Sequence, residues 1–584
     1  LNSATFPVDL RFLNDPPAGK HGFLKVSGDE FIFEDGTPAR FWGCNVAAYA
    51  LFSDKKHIEQ QAIRIAKMGF NLVRIHHHDS LSWVDPSVID KSRDDTRRLD
   101  EKGMDCIHYW VKCLKDQGVH VWLDLHVGRT LKPGDMKTTL GKVIGPQEIL
   151  RREGLVNGFC YFNPGVTELM KEFNQNYLDH KSPYTGLAFK DDPSVVLLLI
   201  TNENDLTHHF GNLMLADKNN PEHRAVFLEK IAEFCRRSGY HPNEVEKTWL
   251  PGPSKIFLAE VEHSFNEVMI SHLRKIGVRI PIATTNSWGG MGIFSLPSLA
   301  LGDFIDVHSY GETEALHQNP VFSPNYLSWI ASAHVANKPL AVSEWNVPYP
   351  IPDRCAAPLY TAALAAFQGW DAMLLYNYSQ DSFGDDGRLA EWSSLVDPSL
   401  AGIMPAAALV FRRPDVALAR RTYALLLDEE DTFSQRLDPY NARVLREVPE
   451  MHRFVVSVPD ISDLSAPAGY SLNRTDHVVH DPHEKIPRTN GVPIFADTKE
   501  FCRDPKKGRF LVTTERTQGV TGWLNGETVV LPDLRVESDT PVATVIVSSL
   551  DGLPIRESRR LLLTAVARSL KRDDVLPYYS EPVC

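Results

Sequence analysis

The sequence predicts a (β/α)8 TIM barrel followed by an all-β sandwich. Three observations carry this reading. From about residue 40 to about residue 415, short runs rich in Val, Ile and Leu alternate with longer amphipathic stretches, the pattern of buried parallel strands joined by helical crossovers. Eight such runs occur, the count that closes a barrel. After about residue 415 the texture changes to short alternating runs separated by turn residues, which reads as a sandwich.

Residues 1–40 read as an N-terminal extension that ends in a β-hairpin. The stretch 26–38 alternates polar and apolar residues up to Asp35-Gly36, a hairpin signal, and the hairpin would cap the barrel floor. Residues 41–415 read as the barrel. Its strands are expected at Phe41–Val46, Asn71–His76, Val119–His126, Val195–Glu203, Ile282–Asn286, Phe304–Tyr310, Leu340–Trp345 and Ala372–Tyr378. Helical patterns at 54–68 and 101–117 are followed by Gly69 and Gly118, at positions where glycine ends helices. An open doubly wound sheet would need a GxGxxG after the first strand, and none is present. Two connections are long, 127–180 and 204–280, the second with a helix near 222–238. Both leave strand ends on the face where barrels build active sites. Residues 416–584 read as the sandwich, with strands at Arg453–Val458, Arg509–Thr513 and Val542–Val547 and a Pro- and His-rich surface loop around 476–494. This part either binds sugar or braces the barrel, and bracing is the simpler expectation.

The chain has 584 residues, 43% hydrophobic and 23% charged, with a net charge of −13. That balance is ordinary for a globular protein and argues against a nucleic-acid partner, which calls for a basic stripe. No apolar run is long enough to span a membrane. The chain starts at Leu1 rather than Met, so a removed signal peptide and a secreted or periplasmic location are expected. Eight scattered cysteines include no CxxC pair, which removes zinc-ribbon spacing and leaves a disulfide or two open. Asn473-Arg474-Thr475 fits a glycosylation sequon, a pattern frequent by chance. Oligomeric state is not written in the sequence.

The chemistry is signalled by position. Asn45, Arg74, His76, His126, Asn202, Glu203, His308, Tyr310, Glu344 and Asn377 all fall at the C-terminal ends of expected strands. A barrel gathers those ends on one rim, and so many polar groups are hard to explain as packing, because each buried one needs a partner. Two of them, Glu203 on strand four and Glu344 on strand seven, are carboxylates facing each other across the rim. Paired carboxylates flanking a sugar bond are what glycosidic cleavage needs.

Several motifs carry a resemblance. Thr201-Asn202-Glu203-Asn204 after an apolar strand resembles the Asn-Glu signature of glycoside hydrolase clan A, and Val342-Ser343-Glu344-Trp345 resembles that clan's nucleophile strand. "NLVRIHH" with Arg74, "LDLH" with His126, "DVHSY" with His308 and Tyr310, and "EDGTPARFWGCNV" are similar to family 5, the cellulase-like enzymes. The resemblance spans roughly residues 25–415. It departs at Asn204, where the family usually has Pro, and at Tyr376-Asn377-Tyr378, where it usually has a sugar-stacking Trp. It implies a retaining β-glycoside hydrolase acting on a β-linked oligo- or polysaccharide. Glu203 would be acid/base and Glu344 nucleophile. Asn202 would hold the 2-hydroxyl, Arg74 and Tyr310 would keep Glu344 ionised and aimed, and His126 and His308 would bind hydroxyls. A retaining mechanism places the carboxyl groups about 5–5.5 Å apart.

Trp288, Trp345, Tyr376 and Tyr378 offer faces on which sugars stack, Asn377 offers a polar rim contact, and His77 or His78 could bind substrate. The run His76-His77-His78-Asp79 looks metal-binding, but neighbours on a strand point to opposite faces, so no metal and no cofactor are expected. Two other readings stay open: a barrel that binds carbohydrate without cutting it, and a metal-dependent hydrolase. Arg129, Lys132 and Lys137 in the first long loop leave an acidic or sulfated sugar open as well.

Overall fold

The computed structural model describes residues 8–137, 141–288, 292–311, 315–384, 389–464, 476–486 and 493–570. The sequon at Asn473 and Cys584 lie outside the described residues. The chain opens with a three-stranded antiparallel sheet of β1 (Leu24–Ser27), β2 (Glu30–Phe33) and β3 (Pro38–Ala39). The barrel follows: β4 (Phe41–Ala47), β5 (Leu72–His76), β6 (His120–His126), β7 (Val195–Thr201), β8 (Ile282–Ala283), β9 (Asn286–Ser287), β10 (Ile305–Tyr310), β11 (Leu340–Asn346) and β12 (Ala372–Ser379). All pair in parallel, in the order β8-β7-β6-β5-β4-β12-β11-β10-β9. The sheet's two ends, β8 and β9, are halves of one strand, so the circle closes at the fifth barrel position.

That fifth strand corrects the continuous run expected at Ile282–Asn286. Its first half pairs with β7 and its second with β10. Thr284 and Thr285 between them bond the end of β7 instead: the Thr284 carbonyl accepts from Thr201 N at 3.0 Å, and the Thr285 hydroxyl accepts from Asn204 N at 3.0 Å. The long helices are Lys55–Lys67, Glu101–Asp116, Pro164–Asp179, Pro221–Ser238 and Pro253–Lys275. Asp54 and Asp100 cap the first two through backbone N–H groups.

Strand alternation divides the barrel's residues. Leu72, Trp122, Leu197, Leu199, Phe304 and Leu374 point inward and form one cluster with Leu24, Phe31 and Phe33 of the hairpin. The hairpin is therefore a plug in the barrel floor. Above this apolar layer, the Arg74 guanidinium lies 5.9 Å from the Trp122 ring, and the polar layer begins.

Beyond the barrel, β13 (Thr422–Leu426), β14 (Arg453–Ser457) and β15 (His477–Val479) form a parallel trio, with the helical turn Arg443–Glu447 between the first two. The alternation at 453–458 thus belongs to a parallel sheet rather than to the antiparallel one. The latter comprises β16 (Ile494–Phe495), β17 (Phe501–Asp504), β18 (Arg509–Thr513), β19 (Thr517–Trp523), β22 (Val542–Ser549) and β23 (Leu561–Ala567). A ribbon of β20 (Val529–Val530) and β21 (Arg535–Val536) covers one face through Val520, Leu524 and Ala543. The other face joins the barrel's own core: Phe501 packs edge-on against Phe367 at 5.0 Å and Phe510 against Tyr360 at 4.9 Å. The buried Arg503–Glu450 pair adds to this, and Arg503 also donates to the Leu316 and Gln318 carbonyls of the loop after β10. The seven described cysteines are free thiols. Among the described residues, no helix is long and apolar enough to cross a membrane.

Candidate active site

Glu344 sits near the end of β11, 4% exposed. Its Oε1 accepts from Arg74 Nη1 at 2.6 Å, and its Oε2 accepts from the Tyr310 hydroxyl at 2.5 Å. His308 Nε2 and His76 Nε2 stand 3.5 and 3.6 Å from the same carboxylate. Burial pushes the Glu344 carboxyl up, but His308, Arg74 and His76 outweigh it together with the Tyr310 hydroxyl, and the group is held at about 2.

Arg74 is itself fully buried and organises the layer. It forks onto Asp124 at 3.0 and 3.1 Å and donates to Asn45 and Asn202 at 3.2 and 2.6 Å. Burial opposes its charge, yet Asp124, Glu344 and Asp306 raise its pKa above the usual arginine value. Asn202 spends its Oδ1 on Arg74, so its Nδ2 is the part left for a ligand.

Glu203 follows β7 with φ +44°, a left-handed conformation uncommon outside glycine that marks functional positions. Its N–H donates to Asn286 Oδ1 at 2.7 Å, Asn286 donates to Asp306 at 2.6 Å, and Asp306 accepts from Ser343. The next residue, Asn204, does work that a proline at this position could not. Its N–H reaches Thr285, its Oδ1 accepts from Gly158 N at 2.8 Å, and its carbonyl accepts from the Tyr161 hydroxyl. The first long loop is thereby tied to the end of β7.

His308 links the two glutamates. Its Nδ1 is 2.7 Å from Glu203 Oε1 and its Nε2 is 2.9 Å from the Ser343 hydroxyl. Burial lowers its pKa, but Glu344 and then Glu203 raise it further, leaving it above the ordinary histidine value. One oxygen of each glutamate and a His308 ring nitrogen lie within 4.8 Å of one another. Those three side chains could also hold a metal ion, but the Arg74 guanidinium already sits on the same Glu344 carboxylate, an unfavourable juxtaposition of cations.

The remaining expected residues divide. Trp288 lines an open cavity of about 390 Å³ together with Glu203, His308 and Tyr310. Its indole N–H donates to Asp205 at 2.8 Å, and the His209 ring is stacked on it at 3.4 Å. Tyr376, 8% exposed, meets Tyr310 and His76 edge-on. His77 is half-buried beside Trp83 and bonded to Ser80.

Five residues are not brought to the cleft. Trp345 is fully buried against Trp42, because Glu344 before it takes the inward position. Tyr378 is fully buried and bonded to Gln61 and Arg64 of the first helix. His78 is fully buried against Tyr177, and Asn377 has no exposed surface. His126 lines a small separate cavity with Arg129, Cys160 and Asn204. Arg129 is buried and donates to Thr96 and the Leu169 carbonyl, and Lys132 donates to the Lys91 and Arg93 carbonyls.

Sequence reasoning missed Asp124 and Asp306. Each sits two residues before a histidine already singled out, hence on the same strand face, and alternation could have found both. Trp392, edge-on to Tyr310 at 5.2 Å and to Tyr376 at 5.8 Å, and Trp329 with Leu437 and Pro439 in the cavity wall arrive from distant segments with no local signal.

The fold is similar to that of glycoside hydrolase family 5 structures. A GH5_18 protein from Streptomyces cattleya, solved in complex with GlcNAc, is 13% identical over 76% of this chain and 100% of its own, with a TM-score of 0.48. A GH5_18 from Bifidobacterium longum subsp. infantis is 12% identical over 76% and 97%, with a TM-score of 0.46. An endo-1,4-beta-mannanase from Rhizomucor miehei is 15% identical over 66% and 99%, with a TM-score of 0.43. No family model matches the sequence, and no curated protein matches it.

Proposed function

We propose that the protein is a retaining β-glycoside hydrolase, with Glu344 as nucleophile and Glu203 as acid/base. One observation carries the reading. Two glutamates with oxygens within 4.8 Å of each other sit in opposite surroundings, one buried among cations and the other half-open on the cavity. Oxygens this close let both carboxyl groups bracket one anomeric carbon, which supports direct attack; retaining pairs of carboxyl groups stand about 5–5.5 Å apart and inverting pairs about 6.5–9.5 Å.

In the first step the ionised Glu344 attacks the anomeric carbon. The bond to the leaving oxygen breaks, and that oxygen takes the proton of Glu203. The glycosyl ester then meets a water molecule that loses its proton to Glu203, and Glu344 departs as carboxylate. Arg74 and Tyr310 hold Glu344 in place, and Asn202 Nδ2 is the donor for a hydroxyl beside the reacting carbon. His308 stays beside both glutamates throughout, its Nδ1 on Glu203 and its Nε2 on Ser343.

Hydrolysis of a panel of aryl β-glycosides and β-linked polysaccharides tests the reading. The expected outcome is activity on at least one member, lowered about 10³-fold or more in Glu344→Gln. Wild-type turnover in that variant contradicts the assignment, and binding of a panel sugar without cleavage favours a barrel that only binds carbohydrate.

A further inference from the structure

The cavity beside Glu203 has a composition unlike a sugar site. Glu203 lines it and Glu344 does not, so it lies on the side where the acid meets the leaving group. This rests on the roles proposed above. Its wall is built from Ile293, Leu296, Val307, Ala333, Leu437 and Pro439 between the aromatic faces of Trp288 and Trp329.

Most of the polar groups in the wall are already committed. The Ser309 hydroxyl donates to the Tyr326 carbonyl at 2.8 Å and Ser332 to the Ser328 carbonyl at 2.7 Å. Asp438 accepts from the Tyr440 and Asn441 N–H groups and pairs with Arg436. The Trp288 N–H is taken by Asp205. A sugar placed here would leave most of its hydroxyls without partners, and each buried unpaired hydroxyl is costly.

The apolar character continues outward. Tyr440, 68% exposed, meets Trp329 edge-on at 5.6 Å. Phe322, 81% exposed, stands on a neighbouring loop. Arg446 fastens both loops, donating to the Pro320 carbonyl at 2.6 Å and to the Pro439 and Tyr440 carbonyls at 2.8 and 2.9 Å. Trp329 and Tyr440 thus carry the apolar wall outward from the cavity.

We infer that the leaving group is an apolar alcohol, so that the substrate is a β-glycoside of an alkyl or aryl alcohol rather than a link within a sugar chain. At about 390 Å³ the cavity falls in the range that holds a small ligand, roughly 300–1,000 Å³. The C–O bond breaks towards this cavity, Glu203 supplies the proton, and a neutral alcohol remains in an apolar slot.

The test compares methyl, n-octyl and phenyl β-glycosides with the matching β-linked disaccharides, for glucose, mannose, galactose and N-acetylglucosamine. In parallel, 1-octanol is titrated while tryptophan fluorescence is followed. Each methylene buried strengthens association about fourfold. The expected result is a kcat/KM for the octyl or phenyl glycoside on the order of 100-fold above the methyl glycoside and above the disaccharide. Saturable octanol binding is expected with it, lost in Ala333→Leu, whose folding is checked by its melting curve. A preference for octyl over methyl supports the inference, because the two leaving groups are alike in basicity, whereas a preference for phenyl supports it only together with saturable octanol binding, since phenoxide is the better leaving group. Faster cleavage of a disaccharide with no saturable octanol binding overturns it and leaves the hydrolase standing. Saturable octanol binding with no glycoside cleaved removes the hydrolase and retains an apolar ligand site.

Discussion

Tyr310 shows how one hydroxyl shapes the chemistry. It donates to Glu344 from a neighbouring strand, and such a bond to a carboxylate contributes about 1.5–3 kcal/mol. In the proposed mechanism Glu344 attacks as the carboxylate, so activity is expected above its pKa and is lost as pH falls through it. With the group at about 2, the acidic limb of kcat/KM lies below the usual assay range. In Tyr310→Phe the carboxyl rises, and the limb is expected to move up by about one to two pH units. A kcat/KM profile measured from low pH upward checks this, and an unmoved limb contradicts the role. At this scale the sequence was informative where alternation is strict. Arg74, Glu203, His308, Tyr310 and Glu344 were all legible as strand-end polar residues. Trp345, Tyr378 and His78 were misplaced because nearness to a strand end does not say which face a side chain takes. Trp345 beside Glu344 illustrates this, since a period of two sends it to the helices.

The elements were more legible than their endings. Seven barrel strands lie where continuous apolar runs place them, because burial on both faces leaves a strong signal. The fifth does not stay continuous, since Thr284 and Thr285 bond the end of β7 rather than the ladder, and short polar steps carry no pattern. The parallel pairing of β13 with β14 and β15 was equally unreadable, as alternation reports burial and not strand direction. The hairpin was legible from Asp35-Gly36, and its role as a plug has a measurable consequence. Phe31 is 1% exposed and packs edge-on against Phe304 at 5.4 Å. Phe31→Ala is expected to cost about 3–5 kcal/mol by leaving a cavity in the barrel floor, whereas Val26→Ala, at an exposed position of the same hairpin, is expected to change little. Urea unfolding of both variants checks it, and equal midpoints contradict the plug.

At the scale of the whole molecule, barrel closure was readable by counting strands, and the encounter of distant segments was not. The C-terminal sheet shares one core with the barrel helices, and Leu437 and Pro439 reach the cavity from well beyond the last barrel strand. What joins these scales is the closeness of Glu203 and Glu344, on which the proposed double displacement through a glycosyl-enzyme rests. Proton NMR of the first anomer released from any cleaved β-glycoside tests this most directly. The expected result is β-anomer at the start, with α-anomer appearing only later by mutarotation. Initial release of α-anomer would mean that water attacks directly, and the assignment of Glu344 as nucleophile would be wrong.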